Sequence, residues 1–168
     1  MDKKLIDLAV DSFVGVMPNL GFEEPRRLEI NLKEKNVIRN GVTVKVGFIK
    51  QVKGCIICNL SADTAMFIAS TMMGATVTEF NNIVKSAIRE VANMLAARSA
   101  IKFAQLGFDV DITTPQLIEE ENIDAEMSSE VFLPVETEVN GHPFNLFVTI
   151  ENAAEKPIAK DNSSFSAE

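Results

Sequence analysis

Glu90 and Asn93, with Ser86 four residues before the glutamate, are the residues whose types and spacing could do chemistry. Positions i, i+4 and i+7 fall on one stripe of an α-helix, so the three polar side chains share a face. A carboxylate can pair with a cation. A carboxamide can accept a hydrogen bond from water through its oxygen and donate one through its nitrogen, although it is a poor base. Spacing alone favours a plain solvated helix face. Continuing the stripe gives Ala97, Ala100 and Ala104, small residues over which another backbone could approach closely. A second motif, Cys55-Ile-Ile-Cys58, is a C-x-x-C that could suggest zinc or thiol redox chemistry. An offset of three in a strand sends the two thiols to opposite faces, and the lone histidine, His142, leaves any zinc site short of ligands. Buried or half-buried structural thiols are expected, with no metal site on this chain.

The stripe needs a long, rigid helix to carry it. Thr78 is placed to cap one running from about Glu79 to Leu106, with Gly107 as its stop, roughly 40 Å long at 1.5 Å per residue. In its first half Phe80, Val84, Ala87, Val91 and Met94 point away from the stripe toward the core. Arg98, Lys102 and Gln105 then take over that direction, so the buried face is expected to rotate. Upstream, the spacing of Leu5, Ile6, Ala9, Phe13 and Val16 predicts a first amphipathic helix closed by Pro18 and Asn19. A hairpin is expected where Leu28 to Arg39 and Val42 to Phe48 flank Asn40-Gly41, followed by a buried strand from Gly54 to Leu60. Ser61 and Gly74 bracket a helix from Ala62 to Met73.

Beyond the long helix, Val110 to Ile118 reads as a strand whose Pro115 suits an edge or a bulge. The acidic run Glu119 to Glu130 reads as a loop. A second hairpin alternates from Val131 to Val139, turns at Asn140-Gly141 and alternates again from Phe144 to Ile150. Two Asn-Gly turns one hundred residues apart hint at an old duplication. The expected fold is α/β of the α+β kind: a mixed sheet of two hairpins plus extra strands, packed against the long central helix and shorter helices. Residues 1–152 are expected to form one domain, and 153–168 a polar, patternless tail.

Composition removes several functional classes. At 168 residues and 46% hydrophobic, the chain can bury a substantial core. Eleven Phe but no Trp or Tyr leave no indole or phenol for stacking on bases, and 16 basic against 24 acidic residues give a net charge of −8. Such a chain lacks the basic face that a nucleic-acid binder uses to release counterions. An acidic protein partner would gain nothing from long-range steering, so contact with one must rely on local pairs. Asp7 and Asp11 interrupt any signal-like N-terminal run, and no stretch approaches the roughly 18 apolar residues of a membrane span. The expectation is a cytoplasmic protein without a membrane partner.

The wider pattern is more specific than any single residue. Ser-x3-Glu-x2-Asn is followed twenty-two positions after Asn93 by Pro115, between SADTAMFIASTMMG and GFDVDITTP, with VKG before the third strand and LGFDVDI after the long helix. This resembles the CheC/CheX/FliY family of chemotaxis phosphatases, from the N-terminal helix through the second hairpin. The single motif copy and the length are most similar to the CheX branch. The resemblance implies that Glu90 and Asn93 enter the active site of a phosphorylated CheY-like response regulator as the catalytic pair. Glu90 would pair with the lysine beside the phosphoaspartate, while Asn93 would align the attacking water. Ser86 falls where the family permits Asp or Ser; with Ala97 it would complete the partner-binding stripe, and Pro115 would be structural. The resemblance also implies a homodimer and a Mg²⁺ ion held by the partner, with no cofactor on this chain. Competing readings are a non-catalytic module that binds response regulators, a structural component of the flagellar-switch type, and a thiol or zinc protein.

Overall fold

The computed structural model describes residues 1–28 and 36–155. Seven strands among these residues form one sheet: β1 (Arg26–Arg27), β2 (Val42–Lys50), β3 (Val52–Leu60), β4 (Val110–Ile112), β5 (Gln116–Leu117), β6 (Leu133–Val139) and β7 (His142–Asn152). The order is β1-β6-β7-β3-β2-β4, with β5 also on β2, and each neighbouring pair is antiparallel. Two hairpins, β2–β3 and β6–β7, therefore meet through their inner strands, where Cys55 pairs with Thr149 and Cys58 with Leu146. At Asn140-Gly141 both φ values are positive (50° and 82°), as a tight hairpin turn of the primed type requires.

Alternation along the central strands separates two cores. Ile56, Cys58, Leu146, Val148 and Ile150 point to one face, which is covered by α1 (Lys3–Asn19), α2 (Ala62–Met73) and α3 (Asn82–Gln105). Phe13 packs on Phe144 with ring centroids 4.7 Å apart, and Phe48 packs on Phe103 at 5.3 Å, which ties α1 and α3 to the sheet. Cys55, Ile57 and Phe147 point the other way, beneath Ile123 and Met127 of α4 (Ile123–Ser128) and Phe132. The opposite facing of the two thiols is thus realised, and both are free and buried.

Several expectations are corrected. Of the hairpin arm expected over Leu28 to Arg39, 29–35 lie outside the described residues, and Asn36 to Arg39 are not in a strand. The free edge of β2 is taken by β4 and β5 instead. The 36–39 segment crosses the sheet face, held by Asn59, whose side chain accepts from the Ile38 N–H (2.7 Å) and donates to its carbonyl (2.9 Å). Asn40 has a positive φ of 58°, but Gly41 does not have one, and a Cβ there would sit 2.0 Å from the Leu60 carbonyl oxygen. That glycine therefore serves close strand approach rather than a primed turn.

The long helix starts at Asn82 with Asn81 as its cap, not Thr78, because the Asn81 side chain accepts from the N–H groups of Ile83 (3.0 Å) and Val84 (3.3 Å). Its buried face does not rotate in the second half, as the charges at Arg98, Lys102 and Gln105 had suggested. Val84, Ile88, Val91, Leu95, Ser99 and Phe103 form one continuous inner seam, and the buried Ser99 hydroxyl is satisfied by the Leu95 carbonyl at 2.8 Å. Phe80, assigned to the core from the sequence, is exposed. Finally, the acidic run is not a loop, since a 3₁₀ turn (Glu120–Asn122) leads into α4, whose Ile123 and Met127 cover the second core. Of the expected tail, Ala153–Glu155 form a short 3₁₀ turn, and 156–168 lie outside the described residues.

Candidate functional site

The inner seam of α3 decides where its polar stripe points. With Val84, Ile88, Val91 and Leu95 sunk into the core, Ser86 and Glu90 are exposed on the outer side and Asn93 is half-buried at its margin. Glu90 and Asn93 are three residues apart, about 4.5 Å along the axis at 1.5 Å per residue. Ala97 follows one turn later, half-buried and outside the lining of the cleft that the others share.

That cleft, about 470 Å³ in volume, has Ser86, Arg89, Glu90 and Asn93 as one wall and Ile112 to Pro115 as the other. The second wall arises from an interruption of the strand expected over Val110 to Ile118. Ile112 pairs with Phe48 and Gln116 with Lys45, so four steps along this strand face three along β2, leaving one extra residue to bulge outward. Pro115, which cannot donate to a ladder, lies in this interruption, half-buried. Thr113 anchors the bulge: its N–H donates to the Gly47 carbonyl (2.9 Å), and its hydroxyl accepts from the Gly47 N–H (2.8 Å). Gly47 leaves room for this, since a Cβ there would come within 3.2 Å of the Thr113 methyl. The structure therefore brings Ser86, Glu90, Asn93 and Pro115 to one cleft.

Two residues lining the cleft were not singled out from the sequence. Thr114 sits at the exposed crest of the bulge. Arg89 is the cation of the lining, and its place beside Asn93 at i, i+4 was legible in the same helical spacing. Among the described residues, the ion pairs join Lys3 to Asp7, Arg26 to Glu138, Arg39 to Glu120 and Asp124, Lys45 to Glu126 and Lys50 to Asp109. Glu90 and Arg89 take part in none of them, so both charges face the cleft without an ion-pair partner among the described residues. A carboxylate, a carboxamide and a guanidinium on one rigid rod can grip and orient groups of an incoming molecule.

The thiols are elsewhere. Burial pushes Cys55 and Cys58 up to about 12, the Cys55 shift being opposed by nearby Lys45. Among the described residues no group of three or more His, Cys, Asp or Glu side chains could hold a metal, and no helix is long and apolar enough to cross a membrane.

The family model for the chemotaxis phosphatase CheX matches residues 42–136, a span that includes α3, the cleft and both of its walls. The CheY-P phosphatase CheX of Thermotoga maritima is 27% identical over 119 residues, which is 70% of this chain and 77% of that protein. A chain of the CheX–CheY–BeF3–Mg²⁺ complex from Borrelia burgdorferi aligns with a TM-score of 0.71 at 25% identity, covering 86% of this chain and 96% of that one. The chemotaxis protein CheX of Vibrio vulnificus, at 17% identity, shares the fold with a TM-score of 0.72 over 88% of this chain and 99% of its own.

Proposed function

We propose that this chain, which belongs to the CheX family of chemotaxis phosphatases, removes the phosphoryl group from the phosphoaspartate of a CheY-like response regulator. The observation that carries the reading is the pair Glu90 and Asn93 on the solvent side of α3, at the rim of an open cleft, on a helix whose inner seam holds it rigid. A helix that works inside another protein's pocket must present its working residues outward, and this one does.

The acyl phosphate of a receiver domain hydrolyses slowly because no water is held in line with the phosphorus. When α3 enters the receiver's pocket, the Asn93 carboxamide accepts a hydrogen bond from a water through its oxygen and holds it opposite the leaving carboxylate. The water oxygen bonds to phosphorus as the bond to the aspartate oxygen breaks. Inorganic phosphate leaves with the water's proton, and the aspartate carboxylate is restored. Glu90 pairs with the lysine beside the phosphoaspartate, which fixes Asn93 in register and desolvates a charge pair only in the complex. Mg²⁺ enters with the receiver, where it neutralises charge on the phosphoryl oxygens. Ser86 and Ala97 extend the contact along the stripe, and Pro115 shapes the facing wall. As the resemblance implies, the chain acts in the cytoplasm as a homodimer, which sedimentation at working concentration tests.

The decisive experiment follows phosphate loss from phosphorylated receiver domains with and without this protein. Accelerated loss is expected. Tight binding without acceleration would instead indicate a regulator-binding or flagellar-switch module of the same fold.

A further inference from the structure

Arg89 lines the same cleft as Asn93, is exposed, and has no ion-pair partner among the described residues. At 100° per residue it sits about 40° round the helix from Asn93, on the side opposite Glu90. Asn93 is thus flanked by a carboxylate on one side and a guanidinium on the other. The facing wall supplies hydroxyls, apolar atoms and Pro115, and no acid.

A substrate centred on a phosphoaspartate presents anionic oxygens to whatever approaches it, and this chain carries a net charge of −8. The overall field therefore repels the substrate, so attraction has to be local. Of the residues lining the cleft, Arg89 alone can provide it, and a planar five-donor fork is suited to carboxylate or phosphoryl oxygens. Because Arg89 has no ion pair to break among the described residues, its charge is available on encounter.

We infer that Arg89 is the substrate-positioning cation of this protein: it binds an anionic oxygen at the mouth of the receiver's phosphorylation pocket, so that the water held by Asn93 arrives in line with the phosphorus. The inference rests on the phosphatase reading, yet separate measurements test the two. Phosphate release by the unmodified protein tests the activity. Binding of the unmodified protein, Arg89→Gln, Arg89→Lys and Lys4→Gln to a receiver, with and without beryllofluoride and Mg²⁺, tests the cation.

Arg89→Gln is expected to raise Kd about tenfold at low salt, a loss that shrinks as salt is raised because screening removes what the charge supplied. Arg89→Lys should recover most of the salt dependence and part of the affinity. Lys4→Gln, which removes an equal charge from α1 outside the cleft lining, should leave both unchanged. A loss confined to the beryllofluoride form assigns the contact to phosphoryl oxygens, and an equal loss in both forms assigns it to carboxylates of the pocket rim. In turnover, Arg89→Gln should raise KM more than it lowers kcat. An Arg89→Gln protein with unchanged Kd and salt dependence overturns the inference, even if the unmodified protein is an active phosphatase. Absence of phosphate release by the unmodified protein overturns the activity, while the binding series still judges Arg89.

Discussion

In the proposed reaction Asn93, uncharged and a poor base, places the water rather than taking its proton. This separates two substitutions. Asn93→Ala should lower kcat on the order of 100-fold with little change in KM, since only the alignment of the nucleophile is lost. Asn93→Asp would supply a stronger base in the same volume, but it would put a second carboxylate beside Glu90, where anionic phosphoryl oxygens must enter. It is expected to be no better than Asn93→Ala at neutral pH, and an Asp variant faster than the Ala variant would turn the mechanism toward base catalysis. Glu90→Ala should act on the other parameter by raising KM, which initial rates over a range of phosphorylated receiver concentrations would show. The residue types and their spacing were legible in the sequence. The inclusion of Arg89 was not drawn from it, because a lone arginine beside a polar stripe reads as solvated surface until the opposite wall of the cleft is known.

The long helix works as a rod, and its accuracy comes from the seam of Val84, Ile88, Val91, Leu95 and Phe103 on its inner side. Its cap can be weakened without disturbing the site, because Asn81 lies about two and a half turns before Glu90. Asn81→Ala should cost about 1 kcal/mol of stability and leave phosphate release nearly unchanged. Since the chain has no Trp or Tyr, the unfolding is best followed by far-ultraviolet circular dichroism in urea. Leu95→Ala, two residues from Asn93 but fully buried, should cost about 2–5 kcal/mol through the cavity it leaves. The expected rotation of the buried face, away from the side of Arg98, Lys102 and Gln105, came from treating apolar and charged types as an inside–outside code. Ser99 defeats that code by returning its hydroxyl to its own helix, and Ile88 and Leu95 complete a seam that needs no rotation.

At the scale of the molecule, the two hairpins are joined by the β3–β7 ladder, and Gly54 lies within that junction with φ of +129°. A Cβ there would come 1.9 Å from the Thr149 carbonyl oxygen, a backbone collision that no side-chain movement relieves. Gly54→Ala is therefore expected to abolish the cooperative melting transition, not merely lower its midpoint. The same ladder buries both thiols. Each titrates at 9.0 when free and is pushed to about 12 by burial in the fold, so between those values the unfolded chain has lost protons that the native chain retains. Stability is then fully present below about pH 9 and falls as pH rises toward 12. Urea midpoints at pH 8 and pH 10 should show the decline, and Cys58→Ala should show a shallower one.

What the sequence determined by itself was local. Helix hydrogen bonds join residues four apart, and an Asn-Gly turn closes over its immediate neighbours, so α1, α2, α3, β3 and the β6–β7 hairpin could be read from spacing, and the motif from Ser86 to Pro115 from its residues. Strand partners lie far apart along the chain, and nothing in the alternation of Val42 to Phe48 says which segment takes its edge. The tertiary structure gave that edge to β4 and β5, and with it the bulge at Thr113 to Pro115, which turns one polar face of a helix into a cleft with two walls.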